Sequence, residues 1–324
     1  MKIIQTQTEI TDPLPVLSSE SYLSAKSSRY GWFVSEKFIL PFFIDKRLIF
    51  KRMVFTYDLI PRVENTGVED QQQFLDAMVE YCQKEKVCDF ISKAQSNVVF
   101  ATFPTKSTSV PWGTHEIDIN KDDTELLLSF DGKHRNRIRK AIQEGAYVQT
   151  TTDINLVYRI IKETLSRQNS IHYPSLNYLE TLQSKLKTHA LFFTVQKDNQ
   201  PQGAAVVIYD GVRGYAMYAG SIEKPSNGSI NLMHYEIMKI LRDQGTTVYD
   251  FVGARINVKP GTKYADIQKF KSHFGASLKE GYTFRVIINP LKYLLFNIVS
   301  QIYFKIKGIQ YKDPIDQILS GKYK

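Results

Sequence analysis

The sequence predicts an α+β protein built from two mixed halves with largely antiparallel sheets, followed by an apolar, basic tail. Three observations carry this. Apolar patterns of period two and period 3.6 alternate along the whole chain. The second half runs helix, three strands joined by tight turns, helix, strand, helix, strand. The 324 residues, 43% hydrophobic and 23% charged, suffice for two cores and are too apolar for disorder. The expected division is 1–143, 144–289 and a tail over 290–324.

The elements follow in order. Residues 37–43 and 47–55 are apolar runs separated by Asp45-Lys46, a hairpin-like pair. Phe74, Met78, Tyr81 and Cys82 give 71–85 helical spacing, with Cys82 a small core residue. Residues 89–92 and 98–102 are short strand candidates, and 115–119 alternates as another strand. Residues 122–144 read as one helix or two. A strand over 146–151 and a helix over 153–168 come next. Residues 191–196, 204–209 and 213–218 form a meander, its turns marked by Asp198-Asn199-Gln200-Pro201-Gln202-Gly203 and Asp210-Gly211. After the 225–229 loop, Ile230, Met233, Ile237, Ile240 and Leu241 form a helical stripe that Gly245 stops. A strand over 247–252, a helix over 265–274 and a strand over 282–288 complete the second half.

Net charge is +9, and residues 255–324 carry 13 Lys/Arg against 4 Asp/Glu while the remainder is balanced. An end-weighted excess of this kind suits a polyanion: nucleic acid, a phosphorylated substrate or an anionic membrane surface. Cys82 and Cys88 are the only cysteines, so a reducing compartment is expected. The N-terminus has no apolar leader and no stretch approaches ~18 apolar residues. The expected location is therefore cytoplasmic, with peripheral contact at the inner membrane face as an option. The histidines do not group in the sequence: His134, His172 and His273 stand apart, His234 reads as a core residue, and no metal is expected.

Three segments resemble a known family: Gly132-Lys133-His134-Arg135-Asn136-Arg137-Ile138-Arg139-Lys140-Ala141, Tyr249-Asp250-Phe251-Val252-Gly253 and Phe270-Lys271-Ser272-His273-Phe274-Gly275. In this order they resemble the Fem-type aminoacyltransferases (FemA, FemB, FemX) and the GNAT-like acyltransferases around them. The resemblance runs from about Tyr22 to Pro290, and the element order of the second half matches the GNAT fold. It implies tandem GNAT-like halves and transfer of an acyl or aminoacyl group onto an amine of a peptidoglycan-type envelope precursor. Aminoacyl-tRNA or acyl-CoA would be the donor, with no tightly bound cofactor. The chain lacks the long heptad-patterned arm of some Fem proteins. It also lacks the glycine loop that holds acyl-CoA pyrophosphate, having Pro225-Ser226-Asn227-Gly228-Ser229-Ile230 in its place. Two alternatives stand beside this reading: an acyl-CoA-dependent N-acyltransferase acting on an amino sugar or small amine, and a catalytically silent GNAT-fold binding protein.

Acyl transfer to an amine needs an in-line donor, a route for the amine's proton and donors for the developing oxyanion. No Ser-His-Asp or Cys-His arrangement is evident, so direct attack is expected. Lys271 lies four residues after Ile267, at the edge of the Ile267, Phe270 and Phe274 stripe, while Lys269 points away. The resemblance places an oxyanion or phosphate lysine at this Phe270-Lys271 pair. Asp250, at a strand end, is the second catalytic candidate: it orients the amine or takes its proton, or else bonds to loop amides. Phe270, Tyr249, Tyr218, Arg135, Arg137 and Arg139 are substrate-binding candidates, the arginines as flanks of a packed helix facing phosphate. Gly228 and Ser229 are cofactor-binding candidates at a helix N-terminus. Leu291, Leu294, Leu295, Ile298, Ile302 and Tyr303, with Lys292, Lys305 and Lys307 around them, make an apolar helix over 291–307. It either lies on a membrane or packs on the protein.

Overall fold

The computed structural model describes residues 1–168, 170 and 173–320; His172 lies outside them. The chain forms two interleaved compact units. One comprises Met1–Thr114, Gly253–Asp266 and Lys279–Lys324, the other His115–Val252 and Ile267–Leu278. This division differs from single cuts after 143 and 289. The helices Asp123–Leu128 and Gly132–Gln143 bury Leu126, Ile138 and Ala141 in the core of the second unit. The final strand returns to the first unit.

In the first unit the sheet runs Lys2–Ile4, Tyr30–Val34, Phe38–Arg47, Phe50–Phe55, Phe90–Ile91 and then the strand Ser277–Ile287. Only the step from Phe50–Phe55 to Phe90–Ile91 is parallel. Parallel neighbours need a crossover, and the helix Val68–Lys84 supplies it. That helix buries Phe74, Leu75, Met78, Val79 and Cys82 against Phe38, Met53, Phe55 and Ile91. The hairpin turn falls at Leu48-Ile49, three residues later than the sequence suggests. Asp45 pairs with Arg52 in the ladder, their side chains 2.7 Å apart, and Leu48 takes a left-handed φ of 54°. Residues 98–102 make only an isolated bridge from Phe100 to Tyr282.

The tail packs in this unit. The helix Pro290–Ile306 sets Tyr293 and Phe296 against Phe90, and Lys292 bridges to Asp89 at 3.0 Å. The short helix Pro314–Leu319 buries Ile315 and Ile318 with Val99, Val110 and Trp112. Arg285 holds it through Asp313 and Asp316 at 3.0 and 2.9 Å.

In the second unit the sheet begins with the end of the strand Thr108–Asp118. Val248–Asp250, Arg213–Ser221, Gln200–Tyr209, Ala190–Lys197 and Tyr147–Thr150 follow. All pairings are antiparallel except Arg213–Ser221 with Val248–Asp250, whose crossover is the helix Ser229–Asp243. That parallel pairing covers only three residues, Arg213–Tyr215 against Val248–Asp250. Beyond it the strand Arg213–Ser221 continues on its other neighbour alone, so the sheet opens at the carboxyl end of Val248–Asp250.

Two glycines show how helices cover this sheet. A Cβ at Gly203 would meet Ile230 of the crossover helix, and one at Gly220 would meet Thr164 of the helix Ile154–Arg167. Gly220 pairs with Ala204, the next residue after Gly203. Neighbouring strand positions point to opposite faces, so the two helices lie on opposite faces. The helix Leu176–Leu186, which packs on Ile154–Arg167, has no counterpart in the sequence reading.

Candidate active site

The opening in the second sheet is walled by the segment Asp250-Phe251-Val252. Open mixed sheets bind ligands outside the carboxyl ends of their strands. Asp250 ends its strand almost wholly buried, and its Oδ1 accepts the Val252 N–H at 2.8 Å. This bond closes a turn in which Val252 has a φ of 42°. A β-branched residue in the left-handed region is an outlier that costs of order 1–3 kcal/mol, and such strain clusters at functional sites. The turn aims the Val252 carbonyl inward, where Lys271 Nζ donates to it at 2.6 Å.

Lys271 comes from the last turn of the helix Lys263–Ser272 and is buried, whereas Lys269 is exposed. Burial lowers its pKa to about 8, against an opposing pull from Asp250. At pH 7 it is still about nine-tenths protonated. One residue thus joins the two charges: the Val252 amide binds Asp250 and its carbonyl binds Lys271. The other side of Asp250 faces Arg213, whose Nη1 lies 3.8 Å from Asp250 Oδ2 and 2.6 Å from Glu116 Oε1.

Two buried histidines complete the surroundings. His115, whose carbonyl accepts the Phe251 N–H, is held neutral down to a pKa of about 4 by burial and then by the Lys271 charge. His234 is lowered to about 3 by burial, then by the Lys271 charge and by His134, and its Nδ1 meets the Tyr249 hydroxyl at 2.8 Å. His115 escaped the sequence reading. It sits in an ordinary alternating strand, and only the pairing of Glu116 with Asp250 brings it to the site.

The other candidates sort by what they touch. Phe270 is partly buried among His134, His234 and Phe274. Tyr249 is fully buried, its ring 5.0 Å from Phe251. It is a core residue that positions His234, not part of a ligand surface. Arg135 donates to the carbonyls of Leu128 and Phe130, satisfying orphan acceptors at the preceding helix end. Its role is structural, whereas Arg137 and Arg139 are exposed. Tyr218 is half-buried and lies on the continuing strand, its pKa pushed up to about 12 by burial.

Gly228 and Ser229 are packed into the unit at the start of the helix Ser229–Asp243. Gly228 has a φ of 83°, and a Cβ there would lie 2.1 Å from the Arg137 carbonyl oxygen, so two helices touch backbone to backbone. Ser229 is buried and its hydroxyl engages that of Ser226.

His134 and His273 do come together, ring centroids 5.2 Å apart, and with Asp131 they bring three potential metal-ligand atoms within 4.8 Å of one another. Asp131, however, already accepts the Lys133 N–H as a helix cap, and Lys133 and Arg137 add positive charge. A groove of about 560 Å³ elsewhere on this unit, lined by Tyr158, Arg159, Lys162 and Arg167 among others, includes none of the site residues.

Residues 130–264 match the family model of the acetyltransferase (GNAT) domain. No curated protein matches the chain. Among solved structures it is similar to FemX, with a TM-score of 0.68, 18% identity, and coverage of 91% of this chain and 99% of that one. It is also similar to the C-terminal domain of a putative lysylphosphatidylglycerol synthetase from Agrobacterium fabrum (TM-score 0.53, 12% identity, 91% and 94% coverage). A conserved protein of unknown function from Bacteroides thetaiotaomicron matches at a TM-score of 0.51 and 12% identity, over 83% and 90% of the chains. The chain therefore has the fold of FemX, and its residues 130–264 form a segment that matches the GNAT domain. Among the described residues no helix is long and apolar enough to cross a membrane.

Proposed function

We propose that the protein transfers an acyl or aminoacyl group onto an amine of a cell-envelope precursor by direct attack, with Lys271 stabilising the oxyanion. The observation that carries this is the buried Lys271 ammonium, fixed by the strained Val252 carbonyl at the opening of the sheet. The acceptor nitrogen attacks the carbonyl carbon of an activated ester or thioester. The C–N bond forms, the bond to the leaving oxygen or sulfur breaks, and the proton lost by the amine goes to that leaving atom. Charge on the carbonyl oxygen peaks between these events, where a fixed, partly desolvated cation counts for far more than in water. Asp250 acts through Lys271, as a positioning residue. The FemX-like fold and the likeness to a domain of a lysylphosphatidylglycerol synthetase favour aminoacyl-tRNA as donor and a lipid-linked or phosphorylated acceptor at the cytoplasmic face.

The test is transfer of labelled amino acid from charged tRNA to an amine-bearing envelope precursor. Lys271→Ala should lower kcat about 100-fold or more, while Lys269→Ala stays near wild type. Equal effects of the two substitutions would refute the assignment.

A further inference from the structure

We propose that the outer face of the helix Pro290–Ile306, together with the adjoining Leu48-Ile49 turn, docks onto an anionic lipid leaflet. The helix already has a packed side: Tyr293 and Phe296 lie against Phe90, Phe296 also meets Phe50, and Phe304 stacks on Tyr311. A helix resting on a core by one stripe normally turns polar residues outward. Here the outward positions are Leu291, Leu294, Leu295, Ile298, Ile302 and Ile306, all exposed and reaching 82% at Ile306. Their spacing of three and four residues makes them one continuous stripe.

The turn extends the stripe. Lys292 Nζ reaches the Ile49 carbonyl at 3.5 Å, and the neighbouring Leu48 and Ile49 side chains are 80% and 60% exposed. Eight large aliphatic side chains gathered in this way form a patch, and exposed patches mark interaction sites.

Charge selects the occupant. From Pro290 to Lys312 the chain has four lysines and no acidic residue. Lys292 is paired with Asp89, which leaves Lys305, Lys307 and Lys312, and beside the turn stand exposed Lys46 and Arg47, the latter 3.2 Å from Asp45. A second copy of this face would bring lysines against lysines, whereas anionic headgroups would neutralise them. The helix is about 25 Å long and is not a membrane span, so it lies in the plane of the interface with its aliphatic side chains among the acyl chains. This docking requires no turnover and stands apart from the identity of the acyl donor.

The experiment is co-sedimentation of the full chain with phosphatidylcholine vesicles, with or without a quarter of phosphatidylglycerol, at low and high salt. Binding is expected with phosphatidylglycerol at low salt and release at high salt. Leu48→Ser, Ile298→Ser and Ile302→Ser combined should abolish binding with an unchanged melting temperature. Lys305→Gln with Lys307→Gln should lower partition onto anionic vesicles about 25-fold, at about fivefold per cation, and leave partition onto neutral vesicles unchanged. If the triple variant melts lower, the lysine pair decides. The proposal is overturned if wild type stays in the supernatant with anionic vesicles at low salt, or if the lysine pair binds them as well as wild type does. It is also overturned if sedimentation in solution shows a dimer that the triple variant splits, since the occupant is then a second copy.

Discussion

Asp250→Asn separates a positioning role from a proton-accepting one. The amide oxygen still accepts the Val252 N–H, so the turn survives, but the charge that supports the Lys271 ammonium is lost. An opposite charge in close range is worth about one pKa unit or more. A fall of Lys271 from about 8 to roughly 7 cuts its protonated fraction at pH 8 from about one half to about one tenth. The variant should then lose about fivefold activity at pH 8 and recover nearly all of it at pH 6. Stability should fall, but by less than a broken buried pair would cost. Arg213 keeps Glu116 at 2.6 Å, and the weaker attraction across 3.8 Å to Asp250 is offset by sparing a buried carboxylate its desolvation. A net loss of about 1–2 kcal/mol is expected, below the 3–5 of a pair left without any partner. The assay is kcat/KM against pH alongside a urea unfolding curve. A loss of 100-fold or more that is the same at every pH would make Asp250 the proton acceptor and refute the argument.

Gly228→Ala should lower stability by about 3 kcal/mol or more, because strain and a backbone collision combine there. Gly245→Ala, with a φ of 90° and nothing within 4 Å, should cost only about 1 kcal/mol of strain; equal urea midpoints would contradict this. The buried histidines predict an acid limb. His115 and His134 have folded pKa values near 4, below the unfolded value of about 6.5, so their neutral forms support the fold above 6.5 and that support is lost as pH falls towards 4. Each is worth up to about 3 kcal/mol, and His115→Asn should flatten the fall in urea midpoint between pH 6.5 and 4.

Local periodicity made several features legible. The stripe of Ile267, Phe270 and Phe274 was enough to set Lys271 apart from Lys269, and the end of an apolar run placed Asp250 at a strand terminus. What the sequence hid was long-range. Gly253 marks a turn, and a bond from Asp250 to a loop amide is one of the two readings of that residue, but that the left-handed conformation begins already at the β-branched Val252 leaves no mark in the sequence. His115 reaches the site through strand pairing with a segment far along the chain. Arg135 looked like a phosphate ligand because its partners are backbone carbonyls, which leave no mark in a pattern of side chains. Asp45-Lys46 looked like a turn because both residues are charged, yet their ladder partners, Arg52 and Lys51, make them strand. The tail offered packing or exposure as rivals, and the helix Pro290–Ile306 does both because it is apolar on opposite sides.

The interleaving of the two units has a bearing on synthesis. The ribosome delivers residues 1–114 first, but the unit they belong to also needs Lys279 onward, including the strand that borders Phe90–Ile91 and the helix Pro314–Leu319. Roughly 200 further residues must emerge before that unit can close, a delay of about 10–40 s at ordinary elongation rates. The second unit, continuous from His115 to Val252 apart from one short piece, can assemble in the interval. Newly made chains therefore spend their longest vulnerable period with the edge of Phe90–Ile91 unpaired and with Phe284 and Val286 missing from the core beside Phe55 and Phe100. Translation that stops short of Ile315 and Ile318 leaves the first half without its last core residues, so quality control would act on the amino-terminal end for a defect at the carboxyl-terminal one.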